Sequence, residues 1–259
     1  MEHLKKAEEG FCTIFGWDNC VTSILLQRGG VTQFFLNDTT HTGTIFKKFK
    51  FLHREKSAMH EIRVYDTEEL GRALIIDGFI QFTQDKKDTF ITSMTKNVLL
   101  LEKNYENVLV VGGGDLALVE SLVQKHKNVK NVVLLESDAK VLEVLEKFFD
   151  FATTFKEAKH LTVENRSLED FFTNEKRKFD AVFVDLCDVN KKELFTGEFF
   201  KKVKAVTLEG GVVTQKLQDV SSIQEYQKKI IEGGLKWVGA EFCEVPDHNT
   251  RFGILKANN

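Results

Sequence analysis

The sequence predicts an α/β fold in which a parallel sheet, flanked by helices, follows a smaller all-β section. Three observations support this prediction. Short strands separated by polar turns fill residues 11–92, apolar strands alternate with helical patterns from residue 93 onward, and a glycine loop follows the first of those apolar strands. We therefore divide the 259 residues into an N-terminal β-domain at 1–92 and a larger α/β domain at 93–259.

The N-terminal section carries the patterns of antiparallel strands. Glu61–Tyr65 alternates polar and apolar residues, as a half-buried strand does. Asp77-Gly78 lies between two apolar runs and is a strong signal for a tight hairpin turn, because both residue types tolerate a positive φ. The strands predicted on these grounds are Val31–Leu36, Glu61–Tyr65, Ala73–Ile76 and Phe79–Thr83.

The C-terminal section alternates between strands and helices. Continuous apolar runs predict buried strands, and apolar residues spaced three or four apart predict helices. Repeated strand–helix units of this kind build a parallel sheet with helices on both faces. The predicted strands are Val108–Val111, Val132–Leu135, Ala181–Val184 and Gly211–Thr214, and the predicted helices are Leu116–His126 and Val141–Phe149.

Composition and charge exclude several classes of protein. The net charge of −3 supplies no basic surface for nucleic acid. No apolar run approaches the roughly 18 residues that a membrane-spanning helix needs, and the first residues lack the apolar core of a signal peptide. The cysteines form no Cys-x-x-Cys pair, so we expect reduced thiols, no metal site and a cytoplasmic protein. They are Cys12, Cys20, Cys187 and Cys243.

A glycine loop after the first apolar strand of the C-terminal section predicts a nucleoside site in a Rossmann-like fold. Gly112-x-Gly114-x-x-Ala117 fits the dinucleotide fingerprint, and Glu136 follows about 20 residues later, where an acid binds the ribose hydroxyls. Asp115 would repel the pyrophosphate of a dinucleotide and would attract an ammonium or sulfonium group instead. The predicted ligand is therefore a nucleoside with a cationic tail. Capping of the following helix is the alternative role for Asp115.

Two carboxylates follow the strand Ala181–Val184. Asp185 and Asp188 lie just past its carboxyl end, where ligands of open α/β sheets bind. An amine nucleophile is protonated near neutral pH and must lose a proton before it attacks carbon. We predict that Asp185 takes this proton and that Asp188 holds the amine in line. Capping of the next loop is the alternative role for both residues.

Taken together, these residues resemble the polyamine aminopropyltransferases, the spermidine and spermine synthase family, over residues 56–256. The resemblance implies an N-terminal β-domain followed by a Rossmann-like domain of the class I methyltransferase type. The matching motifs are Gly112-Gly113-Gly114-Asp115, Gly71-x-x-Leu74-x-x-Asp77-Gly78-x-x-Gln81-x-Thr83, Glu136-x-Asp138, Asp185-x-x-Asp188, Leu194-Phe195, and Gly210-Gly211-Val212 followed by Gln215.

The resemblance implies polyamine biosynthesis by transfer of an aminopropyl group. The donor would be decarboxylated S-adenosylmethionine, the acceptor putrescine or spermidine, and the by-product methylthioadenosine. Asp115 would bind the propylamine of the donor, Glu136 its ribose, and Asp185 would deprotonate the acceptor. The donor is a co-substrate, so no separate cofactor is implied. The expected partners are the polyamine, the adenosyl sulfonium donor and a second copy of the chain in a homodimer, with no nucleic acid and no membrane.

Several family positions carry other residues in this sequence. His60 replaces a glutamine that touches the nucleoside, and Ser167-Leu168 replaces an Asp-Gly pair that reads adenine. Phe90 replaces the tyrosine of a Tyr-x-Glu motif, and His248 replaces a tyrosine that flanks the polyamine. The donor-binding candidates are thus His60, Gly112, Gly114, Asp115, Glu136, Ser167 and Leu168, and the acceptor-binding candidates are Phe90, Asp185, Asp188 and His248. For each histidine, an ordinary structural role is the alternative.

Two further functions are compatible with the same residues. A class I methyltransferase that uses intact S-adenosylmethionine would share the nucleoside half of the site, but Asp115 would then face a zwitterionic amino-acid tail. A catalytically silent family member would serve as a binding or regulatory subunit of an active relative, and the loss of the Tyr-x-Glu motif favours this function.

Overall fold

A computed structural model describes the protein at residues 10–15, 23–28, 31–37, 43–46, 49–85, 87–99, 105–112, 116–150, 158–186, 192–217, 220–245 and 250–259. The chain forms two compact units. The first comprises residues 1–87 and 245–250, and the second comprises residues 88–244 and 251–259. The sequence-based boundary at residues 92–93 falls inside a helix, Lys87–Leu99, that leads into the second unit.

The first unit contains two four-stranded sheets, each arranged in chain order. Every strand pair in them for which a register is given is antiparallel, which confirms the predicted all-β section. Tyr65, Ala73 and Ile75 contribute to a buried apolar cluster in the second of these sheets. The strands of the first sheet are β1 (Gly10–Phe15), β2 (Ser23–Arg28), β3 (Val31–Asn37) and β4 (Gly43–Phe46), and those of the second are β5 (Phe49–Lys56), β6 (Glu61–Thr67), β7 (Gly71–Ile76) and β8 (Phe79–Thr83).

The turn between β7 and β8 is the tight hairpin that the Asp-Gly pair predicts. Asp77 has φ 51° and Gly78 has φ 86°, and positive φ at both central residues defines the turn type that matches the twist of paired strands. The Asp77 carboxylate also accepts a hydrogen bond from the backbone N–H of Glu61 at 2.9 Å. Asp77 therefore forms the hairpin turn with its backbone and fixes the start of β6 with its side chain.

The second unit contains a seven-stranded sheet with the strand order β11-β10-β9-β12-β13-β15-β14. Its elements are α1 (Lys87–Leu99), β9 (Asn107–Gly112), α2 (Ala117–Lys125), β10 (Asn131–Leu135), α3 (Ala139–Phe148), β11 (Leu161–Glu164), α4 (Leu168–Asn174), β12 (Phe179–Asp185), α5 (Gly197–Val206), β13 (Thr207–Leu217), α6 (Ile223–Glu232), β14 (Lys236–Val245) and β15 (Thr250–Asn258). Short 3-10 turns lie at Lys192–Leu194 and Val220–Ser222.

Five neighbouring strands of this sheet, from β11 to β13, are parallel, as predicted. The sequence did not predict that β15 runs antiparallel to β13, with Val212 opposite Asn258 and Leu217 opposite Gly253. Glycine and charged residues interrupt the apolar pattern of β14 and β15, so neither strand shows a continuous apolar run. The fold is otherwise the predicted Rossmann-like one, with helices between successive parallel strands.

The core of the second unit lies on the sheet. Val108–Val111 is fully buried, as expected for a central parallel strand that is covered on both faces. Aromatic residues of α5 and of the turn before it pack edge to face, with the rings of Phe195 and Phe199 5.5 Å apart and those of Phe199 and Phe200 5.2 Å apart. Within the described ranges, no helix is both long and apolar enough to cross a bilayer.

Ion pairs hold the segment that connects β11 to β12. Glu175 Oε1 accepts hydrogen bonds from the backbone N–H of Arg177 at 2.7 Å and from Arg177 Nε at 2.8 Å. Arg166 Nη2 lies 2.6 Å from Glu164 Oε2, at the end of β11. The side chain of Glu175 is only 4% exposed, and the hydrogen bonds from the Arg177 guanidinium lower the pKa of its carboxyl group.

Replacing Glu175 by glutamine is expected to lower the free energy of unfolding by about 1.5–3 kcal/mol at neutral pH, because Arg177 loses a charged acceptor. The pKa of Glu175 in the folded state lies below its ordinary value of 4.5. The stability from this carboxylate is therefore present above pH 4.5 and is lost as the pH falls through the folded-state pKa. Urea unfolding at neutral and acidic pH measures the difference between variant and wild type.

Glu143→Gln is the matched control for this experiment. Glu143 pairs with Lys140 at 2.6 Å, but its side chain is 60% exposed, so solvent screens the pair. We expect the control to lose about 0.5 kcal/mol or less. A destabilisation by Glu175→Gln that persists undiminished in acid would contradict the role of the Glu175 charge.

Candidate functional site

The candidate site lies at the carboxyl ends of the parallel strands, where the strand order reverses. From the central strand β9 the chain moves outward to β10 and β11, and then returns to place β12 on the other side of β9. Such a switch point leaves a crevice outside the strand ends, where open α/β sheets bind ligands. Gly112 ends β9 and Asp185 ends β12, and the two residues are partners in the ladder.

The structure explains why residue 112, in the predicted glycine loop, is a glycine. Its φ is +77°, a conformation that residues with a side chain rarely adopt. A Cβ atom at this position would lie 2.7 Å from the backbone oxygen of Asp185 and 2.7 Å from Leu186 Cδ2. The absence of a side chain is thus what lets the end of β9 approach the end of β12. Gly114 and Asp115, the other predicted donor-binding residues of the loop, lie outside the described residues.

Leu116, just before α2, has an uncommon backbone conformation. Its φ is +50° and its ψ is −4°, and its side chain is buried. A left-handed conformation costs a residue with a side chain about 1–2 kcal/mol. Strain of this kind is frequent at ligand sites, where the surrounding structure compensates for it.

Glu136 lies directly after β10, on the other side of β9 from Asp185. Leu135 is the ladder partner of Val111, so Glu136 continues the register beside Gly112. Its Oε1 accepts a hydrogen bond from the backbone N–H of Asp138 at 2.9 Å, and its backbone oxygen accepts one from Asn165 Nδ2 at 2.7 Å. The carboxylate is therefore buried and oriented at the edge of the crevice, where it can accept a hydrogen bond from a ribose hydroxyl.

Ser167 and Leu168, the predicted adenine contacts, lie beyond β11 at the same edge of the sheet. Ser167 is exposed and caps α4, since its hydroxyl accepts a hydrogen bond from the backbone N–H of Asp170 at 3.1 Å. Leu168 is half-buried and packs against the apolar core. Ser137, in the loop after β10, donates a hydrogen bond to the backbone oxygen of Arg166 at 3.2 Å, which ties this loop to the one that carries Ser167.

Asp185, the predicted general base, is buried and forms an ion pair with Lys216 Nζ. The side chain of Asp185 is 1% exposed and that of Lys216 is 3% exposed. Apart from this ion pair, neither carboxylate oxygen of Asp185 has a hydrogen-bond partner in the described part of the chain. Lys216 was not predicted from the sequence. Its only signal was a cation that interrupts the apolar run of β13, beside the strand that ends in Asp185.

A second buried polar group lies next to Lys216 on β13. Gln215 is 1% exposed, and neither its amide nitrogen nor its amide oxygen has a hydrogen-bond partner among the described residues. The hydroxyl of Thr214 is also buried without a partner in this part of the chain. An unsatisfied buried polar group costs about 1–3 kcal/mol, so polar atoms of a ligand or of water are the natural partners for these groups.

The remaining predicted residues lie in the first unit, in α1 or outside the described residues. His60 lies in the first unit, where its Nδ1 is 2.6 Å from the carboxylate of Asp77. Phe90 lies in α1, and Asp188 and His248 lie outside the described residues. The residues that the structure does bring together are thus Gly112, Glu136 and Asp185, with Gln215 and Lys216 as additions. In the described ranges, no cluster of three or more His, Cys, Asp or Glu side chains is arranged to hold a metal ion.

Comparisons with known protein families agree with this architecture. The family model described as "Spermine/spermidine synthase domain" matches residues 87–246, and the one described as "Spermidine synthase tetramerisation domain" matches residues 37–84. The first match covers more than half of the chain and contains the whole of the candidate site.

Curated relatives carry the name polyamine aminopropyltransferase. The protein of Hydrogenobaculum sp. (strain Y04AAS1) is 34% identical over 165 residues, which cover 63% of this chain and 59% of that protein. The protein of Methanocaldococcus jannaschii is 29% identical over 207 residues, which cover 78% of this chain and 70% of that protein. The chain thus spans less than two thirds of the first of these relatives.

Solved structures share the fold at low sequence identity. A spermidine synthase crystallised in complex with the transition state analogue AdoDATO superposes with a TM-score of 0.75 at 18% identity, covering 84% of this chain and 76% of that chain. The spermidine synthase of Thermotoga maritima superposes with a TM-score of 0.70, also at 18% identity, covering 85% of this chain and 76% of that chain.

Proposed function

Because the chain belongs to the spermine/spermidine synthase family, we propose that it is an aminopropyltransferase. It would move an aminopropyl group from decarboxylated S-adenosylmethionine to a polyamine, putrescine or spermidine, and release methylthioadenosine. The observation that carries the proposal is that Gly112, Glu136 and Asp185 lie at the ends of three neighbouring strands, at the switch point of the sheet. This arrangement supports a nucleoside-binding edge next to Asp185, which would act as the base.

The donor would lie over the carboxyl ends of β9 and β10. Neighbouring strands are about 4.8 Å apart, so the residues that follow β10 and end β12 flank the end of β9 at a separation of the order of 10 Å. Gly112 gives the ligand access to the backbone, and Glu136 would accept hydrogen bonds from the ribose. Asp115 would attract the propylamine of the donor. The donor supplies the reactive sulfonium itself, so the proposed reaction requires no other cofactor.

The reaction is a substitution at the carbon next to the sulfonium. The acceptor nitrogen forms a bond to this carbon while the carbon–sulfur bond breaks, and the electron pair of that bond neutralises the sulfur of the departing methylthioadenosine. Because the leaving group is neutral, it needs no acid. The nitrogen must first lose a proton, and Asp185 would receive it. Alignment of nitrogen, carbon and sulfur supplies the rest of the catalysis.

We also propose that the protein works as a homo-oligomer. The match of residues 37–84 to a tetramerisation domain supports self-association in the family. Both a homodimer, as expected from the sequence resemblance, and a tetramer would be such a homo-oligomer.

Calorimetry with two nucleosides tests the donor site. Asp115→Ala is expected to weaken the binding of decarboxylated S-adenosylmethionine at least tenfold and to leave methylthioadenosine binding nearly unchanged, since methylthioadenosine lacks the amine. Glu136→Gln is the matched control, because the ribose is common to both ligands and both affinities should fall together, by about 1.5–3 kcal/mol. Equal losses in Asp115→Ala would show that Asp115 does not bind the tail. Tighter binding of intact S-adenosylmethionine than of its decarboxylated form would support a methyltransferase instead.

A second candidate function is supported by the ion pair between Asp185 and Lys216. If this pair persists in the presence of an acceptor, the chain lacks an available base and would act as a catalytically silent subunit of an active relative. Turnover by the purified chain alone separates the two functions. Release of methylthioadenosine from the donor in the presence of a polyamine supports the transferase, and donor binding without turnover supports the silent subunit.

A further inference from the structure

We propose that Lys216 lowers the affinity for polyamine acceptors by competing with the acceptor amine for Asp185. This inference rests on the proposed function and concerns the acceptor half of the same site. In the described structure the cation beside the predicted base is a side chain of the protein itself. A polyamine must displace the Lys216 ammonium before Asp185 can bind and deprotonate it.

The sheet fixes the two residues face to face. Val184 of β12 is the ladder partner of Gln215 of β13, so Asp185 and Lys216 are the next residues along the same pair of parallel strands. Residues at equivalent positions of neighbouring strands project from the same face of the sheet. The ion pair is therefore a product of strand register rather than a chance contact between mobile side chains.

Burial makes Lys216 an effective competitor of the acceptor amine for Asp185. Both side chains are almost completely removed from solvent. Water screens the attraction between two buried charges much less than that between exposed ones. Separating the pair leaves the Asp185 carboxylate without its cation in a poorly solvated place, unless a replacement cation arrives there. Only an acceptor that supplies such a cation and also accommodates the displaced Lys216 can bind.

The charge balance of the site disfavours polyamines. A carboxylate alone would attract an ammonium group, but the Asp185–Lys216 pair carries no net charge. An incoming ammonium is repelled by Lys216 at short range while it is attracted by Asp185. Lys216 thus lowers the affinity for multiply charged acceptors and leaves the donor side unaffected.

Acceptor binding in a set of four proteins tests this inference. Calorimetry with putrescine and with spermidine, each in the presence of saturating methylthioadenosine, compares the wild type with Lys216→Ala, Lys216→Arg and the double variant Asp185→Asn/Lys216→Ala. We expect Lys216→Ala to bind both polyamines at least tenfold more tightly than the wild type. Lys216→Arg keeps the cation and is expected to gain nothing, and the double variant is expected to lose the gain because it lacks the carboxylate.

Two outcomes would overturn the inference. Polyamine affinity in Lys216→Ala that equals or falls below that of the wild type shows that Lys216 is not a competitor. A gain that survives in the double variant shows that the polyamine does not bind through Asp185. Methylthioadenosine binding by the wild type separates failure of this inference from failure of the proposed function. If the wild type does not bind methylthioadenosine, the nucleoside site itself is rejected.

Stability measurements keep the test decisive if Lys216→Ala folds poorly by itself. Removing the cation leaves Asp185 without a buried partner, so putrescine should raise the melting temperature of Lys216→Ala more than that of the wild type. The double variant, which has no buried charge at this position, should show no such increase. Lys216→Met preserves side-chain volume and should behave as Lys216→Ala does. Equal shifts of the melting temperature by putrescine in the wild type, in Lys216→Ala and in Lys216→Met contradict the proposal.

Discussion

The Asp185→Asn variant is expected to lose aminopropyl transfer by about 10²–10⁴-fold, the usual contribution of a positioned general base. The amide cannot take the proton of the acceptor ammonium, whereas the size and position of the side chain are preserved. The initial rate of methylthioadenosine release at saturating donor and acceptor measures the loss. Methylthioadenosine affinity should remain near that of the wild type, because Asp185 is proposed to contact the acceptor rather than the nucleoside. A turnover number close to that of the wild type would reject Asp185 as the base.

The same substitution should also destabilise the protein. Asparagine leaves the Lys216 ammonium buried without its carboxylate, and breaking a buried ion pair in this way costs about 3–5 kcal/mol. Thermal unfolding therefore accompanies the kinetic measurement. The double variant Asp185→Asn/Lys216→Met removes both charges and should recover most of the stability without recovering activity. This result would show that the kinetic loss is chemical rather than a consequence of unfolding.

The second large effect is expected from Gly112→Ala. The left-handed conformation costs alanine about 1–2 kcal/mol, and its methyl group would lie 2.7 Å from the backbone oxygen of Asp185. Because that contact is with backbone, either β9 or β12 must move, at a further cost of about 1–3 kcal/mol. The shift displaces the proposed nucleoside edge and the proposed base together. We therefore expect at least tenfold weaker methylthioadenosine binding and a lower rate of transfer.

Gly239→Ala is the matched control. Gly239 belongs to β14 of the same unit, and a Cβ atom there would meet nothing within 4 Å. Its unfolding free energy and methylthioadenosine affinity should stay close to those of the wild type. If Gly112→Ala behaves like this control, the close approach of β9 and β12 is not required for the site.

Most of the fold could be predicted from the sequence because its strongest signals are local. The apolar run Val108–Val111 is a fully buried central strand, and the Asp77-Gly78 pair forms the hairpin turn. The positions of the candidate site residues Gly112 and Asp185 at strand ends could be predicted for a related reason. Each ends an apolar run, and ligands bind at the carboxyl ends of parallel strands.

What the sequence could not show depends on the order of the strands in space. Asp185 and Lys216 are far apart along the chain and meet only because β12 and β13 are neighbours in the sheet. In the sequence, Lys216 is a single charged residue at the end of an apolar strand, a pattern that usually marks a solvent-exposed position. His60 is a similar case, since its contact with Asp77 depends on the register of β6 and β7.

The position of β15 has a consequence for how the protein folds. This strand follows β14 in the chain but lies between β13 and β14 in the sheet. Lys216 is paired through its backbone with Ile254 of β15. We therefore expect a partly assembled chain, in which β15 has not yet inserted, to expose the edge of β13 to wrong partners and to hold the Lys216 end of that strand loosely. Formation of the candidate site would then be among the last events of folding rather than among the first.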